Sequence, residues 1–270
     1  FIYFCAMTST KNPFNIIVIV AALGYFVDIY DLILFGIVMK PSLREIGVAD
    51  EQMFDIGGKL LGMQMIGMLV GGIIWGILGD KKGRLSTLFL TILLYSLANI
   101  ANGFVQTVEQ YEWMRFIAGL GLAGELGVGI TLVSEVMTKE SRGIGTSIVS
   151  GIGIAGAVLG FLVADMFDWR IAYFVGGGLG LLLLIMRISV YESGMFHKTK
   201  QEKVSRGNFF LLFNNARRFK KYIFSILIGI PVWFVISQLA VQSSAYAKEL
   251  NISGEIAGGK AVMFHYIGAS

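Results

Sequence analysis

Gly76-Ile77-Leu78-Gly79-Asp80-Lys81-Lys82-Gly83-Arg84 is a burst of charge and glycine set between two long apolar runs. Glycine lets a chain turn sharply where it leaves a membrane. An aspartate beside lysines and an arginine pairs with a cation or sits at a helix N-terminus. The runs on either side are each long enough to cross a bilayer, which takes about 20 residues. The stretch is therefore a tight surface turn between two membrane spans.

The same pattern extends outward from that turn. Seven spans are expected near 14–39, 57–79, 86–105, 111–137, 143–164, 171–190 and 221–247, with an eighth beginning around Lys260. Hydrophobic residues make up 55% of the 270 and charged residues 15%, against the roughly 25% charge of a soluble domain. Most of the 35 glycines lie within apolar runs, where small side chains let helix backbones approach closely in lipid. The expected fold is all-α: a six-helix bundle over 14–190, plus helix 7 and the start of helix 8 over 221–270. Residues 1–13 form an N-terminal cytoplasmic segment, and 191–220 form a basic cytoplasmic linker. No A-x-A-like cleavage site follows a short apolar stretch. Phe1 to Ala6 do not read as a natural start, and Met7 is the expected one.

Charge placement orients the bundle. With the N-terminus inside, the cytoplasmic segments carry Lys11, Lys81, Lys82, Arg84, Lys139, Arg142, Lys198, Lys200, Lys203, Arg206, Arg217, Arg218, Lys220 and Lys221. The opposite loops carry Lys40, Arg44, Arg170 and Lys248, which is four against fourteen. The net charge of +4 follows from this topology and does not imply nucleic acid. Within the linker, Phe209, Phe210, Leu212 and Phe213 precede the basic run, as in a short amphipathic segment on the inner membrane face.

The Gly76–Arg84 stretch resembles the G-x-x-x-D-[RK]-x-G-R signature of the major facilitator superfamily, and it follows the second span as that family's signature does. The resemblance covers the whole chain. It implies alternating access by two bundles rocking about a midplane site, and a cytoplasmic charge network that closes the outward-open state. It assigns that gate to Gly76, Asp80 and Arg84. Glu135 and Arg142 resemble the E-x6-R element of sugar-porter-like branches and join the same gate. Tyr191-Glu192-Ser193-Gly194-Met195 matches the sugar-porter P-E-S-P-R only in part, lacking both prolines and the arginine.

Charges inside the spans carry the chemistry. Asp28 and Asp31 are three residues apart on one face of the first span, and each costs about 2.5 to 3.5 kcal/mol at a helix centre. The fourth span offers Arg115 and Glu125. With the first span ending near Met39, Asp31 lies about 12 Å and Arg115 about 6 Å below the outer surface. Asp28 and Glu125 fall near the midplane, where transporters keep substrate and ion sites. Asp28-Ile29-Tyr30-Asp31 is similar to the D-x-[YF]-D signature of aromatic-acid:proton symporters, and Asp31 with Arg115 resembles the coupling pair of proton-linked sugar porters. A carboxylate that holds an arginine when ionised and releases it when protonated is a proton-driven switch. A purely structural ion pair is the other reading of these residues.

Gly119-x-Gly121-x-x-Gly124 and Gly151-x-Gly153-x-x-Gly156 match a dinucleotide fingerprint, but neither follows a strand. They read as close-packing faces, with Gly58/Gly62, Gly67/Gly71, Gly72/Gly76 and Gly156/Gly160. Gln238 and Gln242, four apart in the seventh span, are candidates for substrate hydrogen bonds or for helix–helix ones. The lone Cys5 and the separated His197 and His265 provide no metal-ligand pattern. The expected protein is a monomeric, multi-pass plasma-membrane transporter (the inner membrane in a bacterium), without cofactor or metal and not an enzyme. It takes up a small polar, anionic metabolite together with protons. Sugar transport, drug antiport and nutrient sensing on the same scaffold are the alternatives.

The charge bias generates a test of topology. In a Cys5→Ser background, a cysteine placed in 198–206 should react with an impermeant reagent only after the cells are opened. Labelling from outside intact cells would reverse the orientation.

Overall fold

The computed structural model describes residues 12, 14–82, 84–192 and 213–235, and isolated positions between 243 and 268. Six helices run back and forth: α1 (Ile16–Glu45), α2 (Met53–Lys82), α3 (Arg84–Asn102), α4 (Val108–Val136), α5 (Arg142–Met166) and α6 (Trp169–Glu192). A seventh, α7, spans Ala216–Phe234. Four of them (α1, α2, α5 and α6) are apolar and long enough to cross a membrane by length and hydropathy alone. α3 has a shorter apolar core, and α4 buries two charged residues, Arg115 and Glu125, as described below. The short links between helices make sequential neighbours antiparallel.

Most boundaries fall within a few residues of those expected; α1 and α7 depart from them. The first helix continues to Glu45 rather than stopping near Met39, with Pro41 inside it. Proline removes one backbone donor, and the Ser42 hydroxyl donates to the Met39 carbonyl at 3.0 Å in that last turn. α7 begins at Ala216, so Arg217, Arg218 and Lys220 belong, with Lys221, to a helix and not to the linker. Asn215 accounts for this start: its side-chain oxygen accepts from the Arg217 amide at 2.9 Å and the Arg218 amide at 3.4 Å, as an N-cap does. The remaining linker residues, 193–212, lie outside the described residues, including Phe209, Phe210 and Leu212.

α1 lies against α5, α6 and α4, while α2 and α3 pack on α4. Glycine sets the spacing in each case. A Cβ on Gly67 or Gly71 of α2 would strike the Phe116 or Leu120 carbonyl of α4, and one on Gly119 would strike the Gln64 carbonyl of α2. Trp75 reinforces the seam by donating its indole N–H to the Leu120 carbonyl at 2.5 Å. On α5, Gly156 and Gly160 face the backbone of α1 at Phe26 and Tyr30. Two of the expected packing pairs are different: Gly58/Gly62 and Gly72/Gly76 have nothing within 4 Å of where a Cβ would stand. Spacing of four puts glycines on one face but does not say whether a neighbour occupies it.

One end of the bundle is tied by polar links. Arg170 bridges Glu45 at 3.0 Å and donates to the Gly103 and Val105 carbonyls at 2.9 and 3.0 Å. Trp169 donates to the same glutamate. This end joins the α1–α2, α3–α4 and α5–α6 turns.

Candidate functional site

Three facing helices bring charge into the bundle interior. Asp31 on α1 and Arg115 on α4 are both wholly buried, 0% exposed, and meet at 3.5 Å between Oδ2 and Nη2. This is one long contact, beyond the 2.7–2.9 Å usual for a charge-assisted bond and without the two-pronged fork that arginine and carboxylate can form. Aromatic groups supply the rest of the arginine's surroundings. Its guanidinium lies 4.7 Å from the Phe35 ring centre and 5.7 Å from that of Tyr173, and Nη1 reaches the Tyr173 hydroxyl at 3.5 Å. Tyr173 and Tyr111 share a hydroxyl hydrogen bond of 2.6 Å. Asp31 Oδ1 and Arg115 Nε have no hydrogen-bond partner among the described residues. The expected pairing of Asp31 with Arg115 is present, in a loosely engaged form.

A second cluster lies deeper. Glu125 on α4 forms a two-pronged pair with Arg187 on α6: Oε1 engages Nη2, and Oε2 accepts from Nη1 at 3.0 Å. Thr91 on α3 adds a weak bond to Oε2 at 3.4 Å, and Arg187 Nη1 also faces the Leu88 carbonyl at 3.4 Å. The pair sits over Gly24 of α1, where a Cβ would collide with Glu125 Oε1 and come within 2.6 Å of Arg187 Nη2. One turn further along α1, Asp28 is buried, with Oδ2 unpartnered. Asp28 interacts electrostatically with both Glu125 and Arg187.

Arg187 is the residue that sequence reasoning missed. It lies near the cytoplasmic end of the expected sixth span, where a basic residue is ordinary, and a loop-by-loop charge count passes over it. One signal was available. Glu125 needs a counter-charge in the bundle interior, and Arg187 is the sole charged residue between 171 and 190.

The expected gate residues gather at the opposite end of the bundle from Arg170. Gly76 and Asp80 lie in the last turns of α2, Arg84 opens α3, Glu135 lies in the last turn of α4 and Arg142 opens α5. The side chains of Arg84 and Glu135 fall outside the described residues. Gly76 faces open space. Beside Arg142, Glu140 is held below the usual carboxylate range, first by its own backbone amide, then by the Thr138 side chain, with Arg142 a smaller cause. Gln238 and Gln242 lie outside the described residues. The glycine fingerprints lie within α4 and α5, and among the described residues no strand precedes either one. No group of three or more metal-capable side chains occurs among the described residues.

With a long bundle of crossing helices and buried ion pairs established, the family can be read. The model of the Major Facilitator Superfamily matches residues 21–270. The chain belongs to that superfamily. It is an integral, multi-pass membrane protein. It is 27% identical over 223 residues to a putative niacin/nicotinamide transporter of Bacillus subtilis, covering 80% of this chain and 53% of that protein. It is 30% identical over 208 residues to a putative metabolite transport protein of Haemophilus influenzae, covering 75% and 50%. A benzoate transport protein of Acinetobacter baylyi is 27% identical over 205 residues, covering 72% and 43%. The chain thus spans about half the length of the relatives it matches. Among solved structures, a D-xylose-proton symporter shares the fold with a TM-score of 0.61 at 17% identity, covering 93% of this chain and 65% of that one. The relatives are named as transporters, in line with a transport protein rather than an enzyme.

The clearance at Gly24 generates a stability test. In the full-length protein, Gly24→Ala should push Glu125 and Arg187 off their fork and cost about 1–3 kcal/mol, as overpacking does. Gly178→Ala, where a Cβ meets nothing within 4 Å, should be neutral. Equal thermal midpoints for the two variants would place the Glu125–Arg187 pair elsewhere.

Proposed function

We propose that this chain is part of a proton-coupled symporter that takes up a small anionic metabolite by alternating access, in the plasma membrane with its N-terminus cytoplasmic. The observation that carries the reading is the Asp31–Arg115 pair. Both groups are fully buried, yet they are joined by a single 3.5 Å contact, with a carboxylate oxygen and a guanidinium nitrogen left over. A structural pair gains its net stability from good geometry and satisfied lone pairs, and this one has neither. It is instead poised to exchange partners. Protonation of Asp31 frees Arg115 to bind an anion, and the Phe35, Tyr111 and Tyr173 rings around it suit a flat apolar body attached to that anion.

The relatives support the substrate class. Those named for niacin, benzoate, 4-hydroxybenzoate and sialic acid all handle compounds with a carboxylate. Gln238 and Gln242 remain candidates for its polar contacts. Asp80, Arg84, Glu135 and Arg142, together at one end of the bundle, are proposed as the cytoplasmic gate.

Both parts of the proposal can be tested with the full-length protein in proteoliposomes. Asp31→Asn should retain counterflow of a labelled aromatic acid and lose at least tenfold of its accumulation driven by a pH gradient. Full accumulation by that variant would end Asp31's coupling role. Asp80→Asn should leave substrate affinity within about twofold and raise the labelling rate of a cysteine in the inner cavity; an unchanged rate would remove Asp80 from the gate.

A further inference from the structure

Arg115 stands between two oxygens at equal distance. Nη2 lies 3.5 Å from Asp31 Oδ2, and Nη1 lies 3.5 Å from the Tyr173 hydroxyl. Both contacts are long, and Nε has no hydrogen-bond partner among the described residues. The guanidinium is wholly buried. Losing one of its two oxygens therefore exposes it to the cost of an uncompensated ion in low dielectric. The ionised Asp31 is the stronger acceptor of the two. The phenol matters once that negative charge is gone.

Tyr173 does not face the arginine alone. Its hydroxyl is 2.6 Å from that of Tyr111, which lies 3.4 Å from the Ser42 hydroxyl, and Ser42 reaches the Met39 carbonyl at 3.0 Å. The two ends of this chain fix the direction of every proton in it. A carbonyl only accepts, so Ser42 places its one hydrogen on Met39 and accepts from Tyr111. Tyr111 then accepts from Tyr173, and Tyr173 has no hydrogen left for another group. A guanidinium only donates, so Arg115 meets the lone pairs of Tyr173. Aligned hydroxyl dipoles strengthen one another in a low dielectric, and here their negative end is aimed at a cation. Packing holds the chain still: Trp169 stacks on Tyr111 with ring centres 6.2 Å apart and meets Tyr173 edge-on at 6.1 Å.

We propose that Tyr173 is a positioning residue, the alternative partner to which Arg115 turns when Asp31 loses its charge. The Ser42–Tyr111–Tyr173 chain joins α1, α4 and α6 and keeps the phenol oxygen toward the arginine. The Phe35 ring, with its centre 4.7 Å from the guanidinium, adds an electron-rich face. A neutral phenol holds a guanidinium without cancelling its charge. Arg115 therefore stays ordered and fully positive, and an arriving carboxylate has only a neutral group to displace. The inference rests on the symporter reading for its purpose in a transport cycle, while the contacts that carry it do not.

A double-mutant cycle on the purified full-length protein in detergent tests this without substrate or proton gradient. Tyr173→Phe removes the hydroxyl and keeps the ring, and Asp31→Asn removes the charge. The loss of thermal midpoint caused by Tyr173→Phe should be at least about twofold larger in the Asp31→Asn background than in the wild type, because there the phenol is the arginine's main acceptor. Tyr111→Phe breaks the chain one link back and leaves Tyr173 in place. It should show non-additivity of the same sign, and it decides the matter if the Tyr173 double variant does not fold. Equal losses in both backgrounds would make the chain ordinary packing. A smaller loss with Asp31→Asn would mean that the chain only steers Arg115 onto Asp31. Either result overturns the proposal. If the larger loss is seen while Asp31→Asn keeps full pH-driven accumulation, the coupling role of Asp31 fails and the alternative partner of Arg115 stands.

Discussion

A buried charge must find its partner within the protein, and that constraint arranges this bundle. α1 carries two aspartates through its apolar middle, where lipid offers them nothing. Asp31 is answered by Arg115 of α4, while Asp28 lies against a fork built by α4 and α6. Those requirements bring α1, α4 and α6 together around one interior. α3 joins them through Thr91 and the Leu88 carbonyl.

Close approach makes the pairing geometrically possible. Arginine reaches far, but a bidentate fork in the interior needs the backbone beside it to give way, as α1 does at Gly24. The same device recurs where charges are absent. Tyr30 is received between Gly156, Gly160 and Gly176, and its hydroxyl donates to the Ala172 carbonyl at 2.8 Å. α1 is thereby held to α5 and α6 on the side away from α4. The helix that carries the acids is gripped by backbone contact on one flank and by ions on the other.

Much of this was legible in the residues, and what was hidden had a physical reason. The Gly76–Arg84 turn announced a membrane bundle, because charge and glycine between two apolar runs of bilayer-crossing length belong at a membrane surface. Asp31 and Arg115 could be paired from the cost of leaving either unpaired, together with the resemblance to the coupling pair of proton-linked sugar porters. The depths assigned from a helix end near Met39 do not survive the extension of α1 to Glu45. Arg187 was obscured by its position near the helix end expected to be cytoplasmic, where basic residues serve topology. The first span was expected to end near Met39 but continues to Glu45, because the single proline in its last turns, Pro41, removes a donor without removing the helix. Glycine spacing identified faces but not partners: Gly67 and Gly71 meet α4, while Gly58 and Gly62 meet nothing. Spacing within one helix contains no information about the next helix's position.

α4 contributes the cation to one cluster and the anion to the other, with Arg115 and Glu125 ten residues and therefore about 15 Å apart along its axis. Its interior charge sums to zero. A transmembrane voltage, worth about 2.3 kcal/mol per elementary charge per 100 mV, exerts no net pull on these two charges however far the helix slides; it can only tilt the dipole they form. α1, by contrast, bears two like charges on adjacent turns. The electric field across the membrane therefore pulls the two interior carboxylates of α1 in one direction, while its pulls on Arg115 and Glu125 of α4 oppose each other.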